Sequence, residues 1–489
     1  MQSLFRGNKR ESPEPVKAEI QGQIPQWLQG TLIRNGPGMH KIGDTVYNHW
    51  FDGLSLLHSF TFENGEVFYR SRYLRSDTYK SNIEANRIVV SEFGTMAYPD
   101  PCKNIFSKAV SYLTHAIPDF TDNCLINIIK YGEDFFASSE VNYIRRIDPR
   151  TLETLEKVDY TKYVSLNLAT SHPHYDGEGN TYNMGTSIAE KGKTKYLFVK
   201  IPNTKLVTSK LDQEEPMDII YLGFKKAFDK TYIHIIDRKT KKPLPVKFYT
   251  DALIVYHHVN AYEEDNHVVF DIIAYDDNGL YEMFYLENMT SSNQKFDIKG
   301  KTFSLPSCRR FIIPLDHDKT TELSRNMCTL GNTTAYALKE KDGSVYCKPE
   351  VLFEGIELPQ INYDYNGSKY RYIYASKVRW RPIPTKVIKC DIQSRSCLEW
   401  REEHCWPAEP VFVKLPDSKD EDDGVILSSI VSTDAKKSSF LLILDAKTFK
   451  ELGRASVSVD VHLDLHGIFI PEEELQAKKK LQSLEESSS

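Results

Sequence analysis

Fourteen histidines are spread through the 489-residue chain, and three of them stand in settings that suit metal chemistry. The string SHPHYDGEGN carries His172 and His174 two residues apart, which on an extended strand point to the same side. VYHHVNAYEED carries His257 and His258; adjacent strand residues point oppositely, so one can face an interior axis while the other packs outward. In DLHGIFI, His466 precedes Gly467, where a missing side chain lets a neighbouring backbone come close. Neutral imidazoles without thiolates suit iron, copper or zinc. None of the three has the local spacing of a zinc finger or an HExxH helix, so strands distant in sequence must bring such ligands together.

The elements available to do this are short strands. Tyr (28), Phe (24), Val and Ile occur in short runs bounded by Gly, Pro, Asn and Asp, the pattern of strands and turns. A weak repeat runs through them: an apolar strand ending in Asp, two residues, then Thr or Ser. It appears at Asp148/Thr151, Asp237/Thr240, Asp391/Ser394 and Asp445/Thr448. Such an Asp accepts a hydrogen bond from backbone two residues on, and the hydroxyl completes the turn, so each copy predicts a β-hairpin. Successive copies lie 89, 154 and 54 residues apart, roughly two, three to four and one times a blade of ~40–50 residues. An all-β propeller is the leading architecture, with a sandwich or two-barrel chain as the alternative.

Two stretches depart from the pattern. In PMDIIYLGFKKAFDK (216–230), Met217, Ile220, Phe224 and Phe228 fall on one helical face beside lysines, predicting an amphipathic helix that lies on a membrane surface or packs on the β-structure. Residues 471–489 are dominated by Glu, Lys, Gln and Ser, which predicts a solvated or disordered tail and leaves 1–470 as a single domain.

Composition narrows the function classes. Hydrophobic residues make up 40% and charged residues 27%, with a net charge of −6, a soluble globular balance. No run approaches the ~18 apolar residues of a spanning helix. The N-terminus MQSLFRGNKRESPEP lacks an apolar signal core. Eight cysteines at 102, 124, 308, 328, 347, 390, 397 and 405 form no CxxC pair, so a reduced, cytoplasmic chain is expected, and the sequons at Asn288, Asn332 and Asn366 read as chance matches. Acidic and basic residues interleave, leaving no electrostatic footprint for nucleic acid.

Nine segments carry a specific resemblance: GTLIRNGPG (30–38), YNHWFDGLSLLHSF (47–60), SEFGTMAYPDPCKNIF (91–106), SHPHYD (171–176), YHHVNAYEED (256–265), ELPQINY (357–363), WPAEPVFV (406–413), EDDGVILS (421–428) and DLHG (464–467). In these strings, their order and their coverage of nearly the whole chain, the sequence resembles the carotenoid cleavage oxygenase family, its animal branch best. The resemblance implies a seven-bladed β-propeller, with loops and short helices capping one face and a non-haem Fe(II) held on its axis by four histidines. His172, His257 and His466 match three of those ligands by motif, and His174 and His258 match the neighbours that do not ligate. Glu140 in SSEVNYI, Glu357 in ELPQINY and Glu409 in PAEPVF resemble the carboxylates that accept the imidazole N–H and orient the ring.

The activity so implied is cleavage of the central 15,15′ double bond of β-carotene by O2, giving two retinal molecules. Phe51, Phe93, Tyr275 and Trp406 are the candidates for lining the polyene site, where aromatic faces stabilise developing positive charge. A lipid-dissolved substrate implies peripheral contact with a membrane, and segment 216–230 lies near the matching place. PDPCK, with Cys102, resembles a region by the mouth of the substrate tunnel that the family resemblance implies.

One departure bears on function. The family's second ligand lies in a string close to Tyr-His-Ser-Phe-Gly, and no such string occurs here. His172 and His257 are only 85 residues apart, and the stretch between VKIPNTK and TYIHIID is shorter than in the family by on the order of 40–50 residues, about one blade. His234, the one histidine in that interval, falls in an Asp-turn hairpin outside any ligand motif. One incomplete blade and three of four ligands are therefore expected, with Glu140 facing the absent one. An inactive or weakened variant that at most binds carotenoid is the alternative reading.

Overall fold

The computed structural model describes residues 2–5, 8–97, 121–188, 194–203, 224–227, 230–237, 240, 242–289, 297–298, 301–302, 304–316, 323, 325–379 and 383–478. Among these, seven sheets have four or more strands and two have only two, while helices are few and short, the longest described being Asp77–Glu84. The chain is mostly β, as its composition predicts.

Period-two burial makes the strands. Along Glu66–Tyr73, buried Val67, Tyr69, Ser71 and Tyr73 alternate with less buried neighbours, the signature of a strand with one face on a core. It pairs with Leu54–Glu63 through Asn64 and Gly65, at φ +52° and +79°, a two-residue turn whose left-handed backbone matches strand twist. The Asp-turn reading holds in detail. Asp148 Oδ1 accepts from the backbone N–H of Arg150 and Thr151 at 2.9 and 2.8 Å. Asp391 and Asp445 close the turns between Lys386–Asp391 and Ser396–Trp400 and between Ser439–Asp445 and Glu451–Val457 in the same way. Asp237 makes its turn bond to Thr240 N at 2.6 Å, but only an isolated bridge, Ile236 to Pro243, flanks it.

The two ends of the fold are stitched together. The strand His466–Pro471 adds to the N-terminal sheet beside Gly30–Met39, with Asn35 opposite His466 and Arg34 opposite Gly467. Reciprocally, Glu19–Gly22 pairs with Glu451–Val457 in the C-terminal sheet. Gly467 permits the first pairing, since a Cβ there would sit 1.9 Å from Ile33 O and 2.8 Å from Arg34 Cα. The largest apolar cluster runs across sheets, from Phe60 through Ile273 and Ile373 to Leu427 and Leu441.

Three expectations need correction. The strand Phe224–Ala227 pairs antiparallel with Lys230–Ile233, so the described part of 216–230 is extended. Cross-strand hydrogen bonding has overridden a helical period there; residues 216–223, 228 and 229 lie outside the described residues. The chain past 470 is not simply solvated. Residues 472–478 are helical, with Leu475 only 3% exposed in a cluster with Ile33, Leu57 and Phe135. Glu474 and Lys478 pair with Lys130 and Asp134, so part of the charge that suggested a tail meets partners on the sheets; 479–489 lie outside the described residues. The cysteines are not all free thiols, because Cys390 and Cys397 stand directly opposite in one hairpin and form a disulfide. No helix among the described residues is long and apolar enough to cross a membrane.

The sheet built from Phe224–Ala227, Lys230–Ile233 and Phe248–Asp251 recruits Val345–Lys348 and Tyr336–Lys339 from far along the chain. Its join, Phe248 to Val345, is the one parallel strand pairing among the described residues.

Gly467→Ala is expected to destabilise the protein by about 2–4 kcal/mol through backbone overlap. Gly177→Ala, with open space at its Cβ, is expected to stay within about 0.5 kcal/mol. Urea melts of the two variants provide the check.

Candidate metal centre

Three separate pieces of chain deliver the histidines. His466 opens the strand His466–Pro471. His257 lies in Ile254–Glu264, where the pairing with His267–Tyr275 slips between Val255 and His257 and again between His258 and Asn260; irregularities of this kind re-aim side chains. His172 sits between the short strands Leu168–Ala169 and His174–Tyr175. A ring nitrogen of each of His172, His257 and His466 lies within 4.8 Å of the other two. The ring centroids are 4.5 Å apart for His172 and His466, 5.2 Å for His257 and His466, and 5.6 Å for His172 and His257.

Hydrogen bonds settle which nitrogens are free. His257 Nδ1 is 2.6 Å from Glu357 Oε2, and His466 Nδ1 is 2.8 Å from Glu409 Oε1. With each Nδ1–H donated to a carboxylate, each Nε2 carries a lone pair, and those two atoms face one another at 3.4 Å. Facing lone pairs repel unless a proton or a cation lies between them. Imidazoles whose second nitrogen is bound to a carboxylate are the usual arrangement around a metal, so the donor set fits a divalent iron ion, or another metal that favours imidazole.

The surrounding charges agree. Burial works against ionisation of Glu357, but the His257 ring, the Tyr275 hydroxyl at 2.6 Å and the Leu358 N–H at 2.9 Å outweigh it and lower its pKa. Burial likewise opposes ionisation of Glu409, and His466 and Arg34 overcome it, bringing its pKa to about 2. Burial lowers the pKa of His257, yet Glu357, with Glu409 and Glu140 beside it, outweighs burial and raises it. For His172, burial and its histidine neighbours all act downward, so it stays neutral.

The remaining candidates disperse. Glu140 is exposed, accepts from Ser171 Oγ at 3.3 Å and acts on His257 through its charge, but is not one of the three converging side chains. His174, His234 and His258 are exposed and outside that group. Phe51 packs on Phe284, ring centroids 4.6 Å apart, and Phe93, 67% exposed, meets the His49 ring edge. Trp406 donates to Thr433 Oγ1 at 3.1 Å. Tyr275 is buried with its hydroxyl on Glu357, which makes it an anchor for a histidine's carboxylate. Sequence reasoning missed Arg34 and Gln360, which donate to Glu409, and Asp464, which accepts from Arg34. One signal was available: Arg34 is the lone charge in GTLIRNGPGM, a strand otherwise built to be buried. Cys102 lies outside the described residues.

Comparison with known proteins supplies the context. A family model described as "Retinal pigment epithelial membrane protein" (RPE65) matches residues 5–224 and 221–471. Its two matching stretches meet between His172 and His257. "Beta,beta-carotene 15,15'-dioxygenase" of Gallus gallus is 57% identical over 529 residues, covering 98% of this chain and 100% of that protein. The Homo sapiens protein of the same name is 57% identical over 537 residues, covering 99% and 98%. The human "Carotenoid-cleaving dioxygenase, mitochondrial" is 36% identical, covering 94% and 89%. The alignment to the Gallus gallus protein, at 529 positions against 489 residues in the whole chain, leaves at least 40 positions without a counterpart here. Among solved structures, a Synechocystis apocarotenoid oxygenase mutant aligns with TM-score 0.69 and 20% identity over 95% of this chain and 97% of that one. A chimera of that oxygenase with RPE65 aligns with TM-score 0.68 and 21% identity over the same shares. These two likenesses show the fold.

Glu357→Gln is expected to weaken divalent-metal binding by about 10–100-fold, read by competition with a chromogenic chelator. In metal-free protein, the Glu409 pKa is depressed from 4.5 to about 2, so its stabilisation is complete above 4.5 and is lost as pH falls toward 2. The raised His257 pKa acts with the opposite sign, its contribution being full below 6.5 and lost as pH rises through the folded value. Melting temperatures of metal-free protein should therefore fall with acid below pH about 4.5, and Glu409→Gln should flatten that fall.

Proposed function

Because the chain belongs to the carotenoid oxygenase (RPE65) family, we propose that it is a non-haem Fe(II) dioxygenase that cleaves the central 15,15′ double bond of β-carotene to two molecules of retinal. The observation that carries this reading is the convergence of His172, His257 and His466, two of them with Nδ1 on a buried carboxylate and Nε2 turned inward. On the same reading the seven larger sheets are the blades of one propeller built from residues 1–470, and His172, His257 and His466 hold the iron.

A ferrous ion there supplies the activation of O2 that a closed-shell polyene needs, since triplet O2 does not react readily with such an alkene. The chain's own residues do the rest. Glu357 and Glu409 hold the Nδ1 protons, so neither ring can swing its N–H toward the ligand side. Tyr275 and Arg34 keep those carboxylates in place. Phe51, Phe93 and Trp406 offer aromatic faces to a polyene that develops positive charge. Loading a lipid-dissolved substrate calls for peripheral contact with a membrane; exposed Phe93 and Met96, at 67% and 76%, suit such contact.

A second reading has its own support. The family match falls into two stretches that overlap at 221–224, the aligned relative has positions with no counterpart here, and the described residues bring three histidines together and no fourth. A centre with three ligands holds iron less tightly, and the chain is then a weakened or inactive variant that binds carotenoid. On this reading Glu140 or water would fill the ligand position that the absent histidine leaves.

Iron-loaded protein incubated with β-carotene in detergent micelles is expected to form retinal, detected by chromatography, and His466→Ala should abolish it. Background product alone, while a relative converts substrate under matched conditions, would overturn the enzyme reading. Dialysis against a mild chelator separates the readings further: the three-histidine centre should lose iron sooner than that relative, and equal retention would count against a vacated ligand position.

A further inference from the structure

Behind His466 lies a buried ionic assembly in which one guanidinium serves two carboxylates. Arg34 is 0% exposed. Its Nη1 donates to Glu409 Oε2 at 2.8 Å, its Nε to Asp464 Oδ1 at 2.8 Å and its Nη2 to Leu465 O at 2.9 Å. Glu409 uses its other oxygen for His466 Nδ1 at 2.8 Å and Gln360 Nε2 at 2.9 Å. Asp464 Oδ2 is met by His58 Nε2 at 2.9 Å and Ser429 Oγ at 2.6 Å. Every oxygen of the two carboxylates thus has a partner, as buried charge requires.

We propose that Arg34 is a positioning residue for the metal ligand His466, acting through Glu409, with Asp464 holding the guanidinium in the plane that Glu409 needs. The inference rests on the reading of the three histidines as metal ligands. Geometry makes the case. The planar guanidinium lies between the carboxylate that orients the ring and the aspartate two residues before it, so the Glu409 oxygens cannot rotate without breaking a charged hydrogen bond. Two carboxylates also share one cation, leaving a formal negative charge buried beside inward-facing lone pairs and thereby favouring a metal cation there. Glu357 is held differently, by the Tyr275 phenol and a backbone N–H. Lysine cannot replace Arg34, because a point charge makes no fork to two carboxylates.

Arg34 also clamps the N-terminal sheet to the segment leading into the last strand, so a purely structural role is the rival account. Cobalt(II) binding and the cobalt d–d spectrum tell them apart in the full chain. Arg34→Gln is expected to lower cobalt affinity by about 10–100-fold and to shift the d–d bands, and Glu409→Gln to do the same. The double variant should bind no more weakly than Glu409→Gln alone, because the two residues act in series. Should Arg34→Gln fail to fold, Arg34→Lys keeps the charge and is expected to show the same loss and band shift. Wild-type affinity and spectrum in the folded Arg34 variants, or fully additive losses in the double variant, would overturn the proposal. A wild-type chain that binds no cobalt would overturn the metal reading itself, and His466→Ala provides that control.

Discussion

Two imidazole nitrogens, each with its proton committed elsewhere, face one another at 3.4 Å. The repulsion between their lone pairs is tolerable only with a positive charge between them, and much of the surrounding structure bears on this constraint. Glu357 and Glu409 impose it by holding the Nδ1 protons. Tyr275 and Arg34 maintain it by holding the glutamates. Burial strengthens each of these bonds and makes each more costly to leave incomplete.

The same constraint reaches the closure of the fold. His466 is the first residue of the strand that joins the C-terminal end of the chain to the N-terminal sheet, and Arg34 is on the strand it joins. Gly467 allows the two backbones to approach, and the adjoining Asp464 and Leu465 receive the guanidinium. Ring orientation and the meeting of the chain ends therefore depend on one set of contacts, in which a packing error at Gly467 and a lost charge at Arg34 both bear on His466.

The interval between His172 and His257 is where this chain departs from its family. There the family match breaks, and a sheet completes itself with a parallel pairing to strands some hundred residues downstream. Glu140 marks the consequence. In the motif it resembles an imidazole-orienting carboxylate, yet here it is exposed, accepts a hydrogen bond from the Ser171 hydroxyl and acts on His257 only through its charge. A carboxylate gains nothing from burial without a partner.

Local chemistry was readable from the residues. Aspartate turns and short apolar runs arise from bonds and steric limits within a few positions, so the all-β class and the three histidine candidates could be drawn from the chain alone. What depended on distant partners was not. Residues 216–230 carry a helical period, but Phe224–Ala227 within them lies extended, because a neighbouring strand bonds to it. Leu475 looked like part of a solvated tail until the sheets supplied Ile33, Leu57 and Phe135 to cover it. That the Tyr275 hydroxyl holds Glu357 had no local signal either. Residue types thus specified which groups were able to bind a metal; which nitrogen each ring presents, and which arginine holds its carboxylate, came from contacts across hundreds of residues, since hydrogen-bond direction depends on where the partner sits in space.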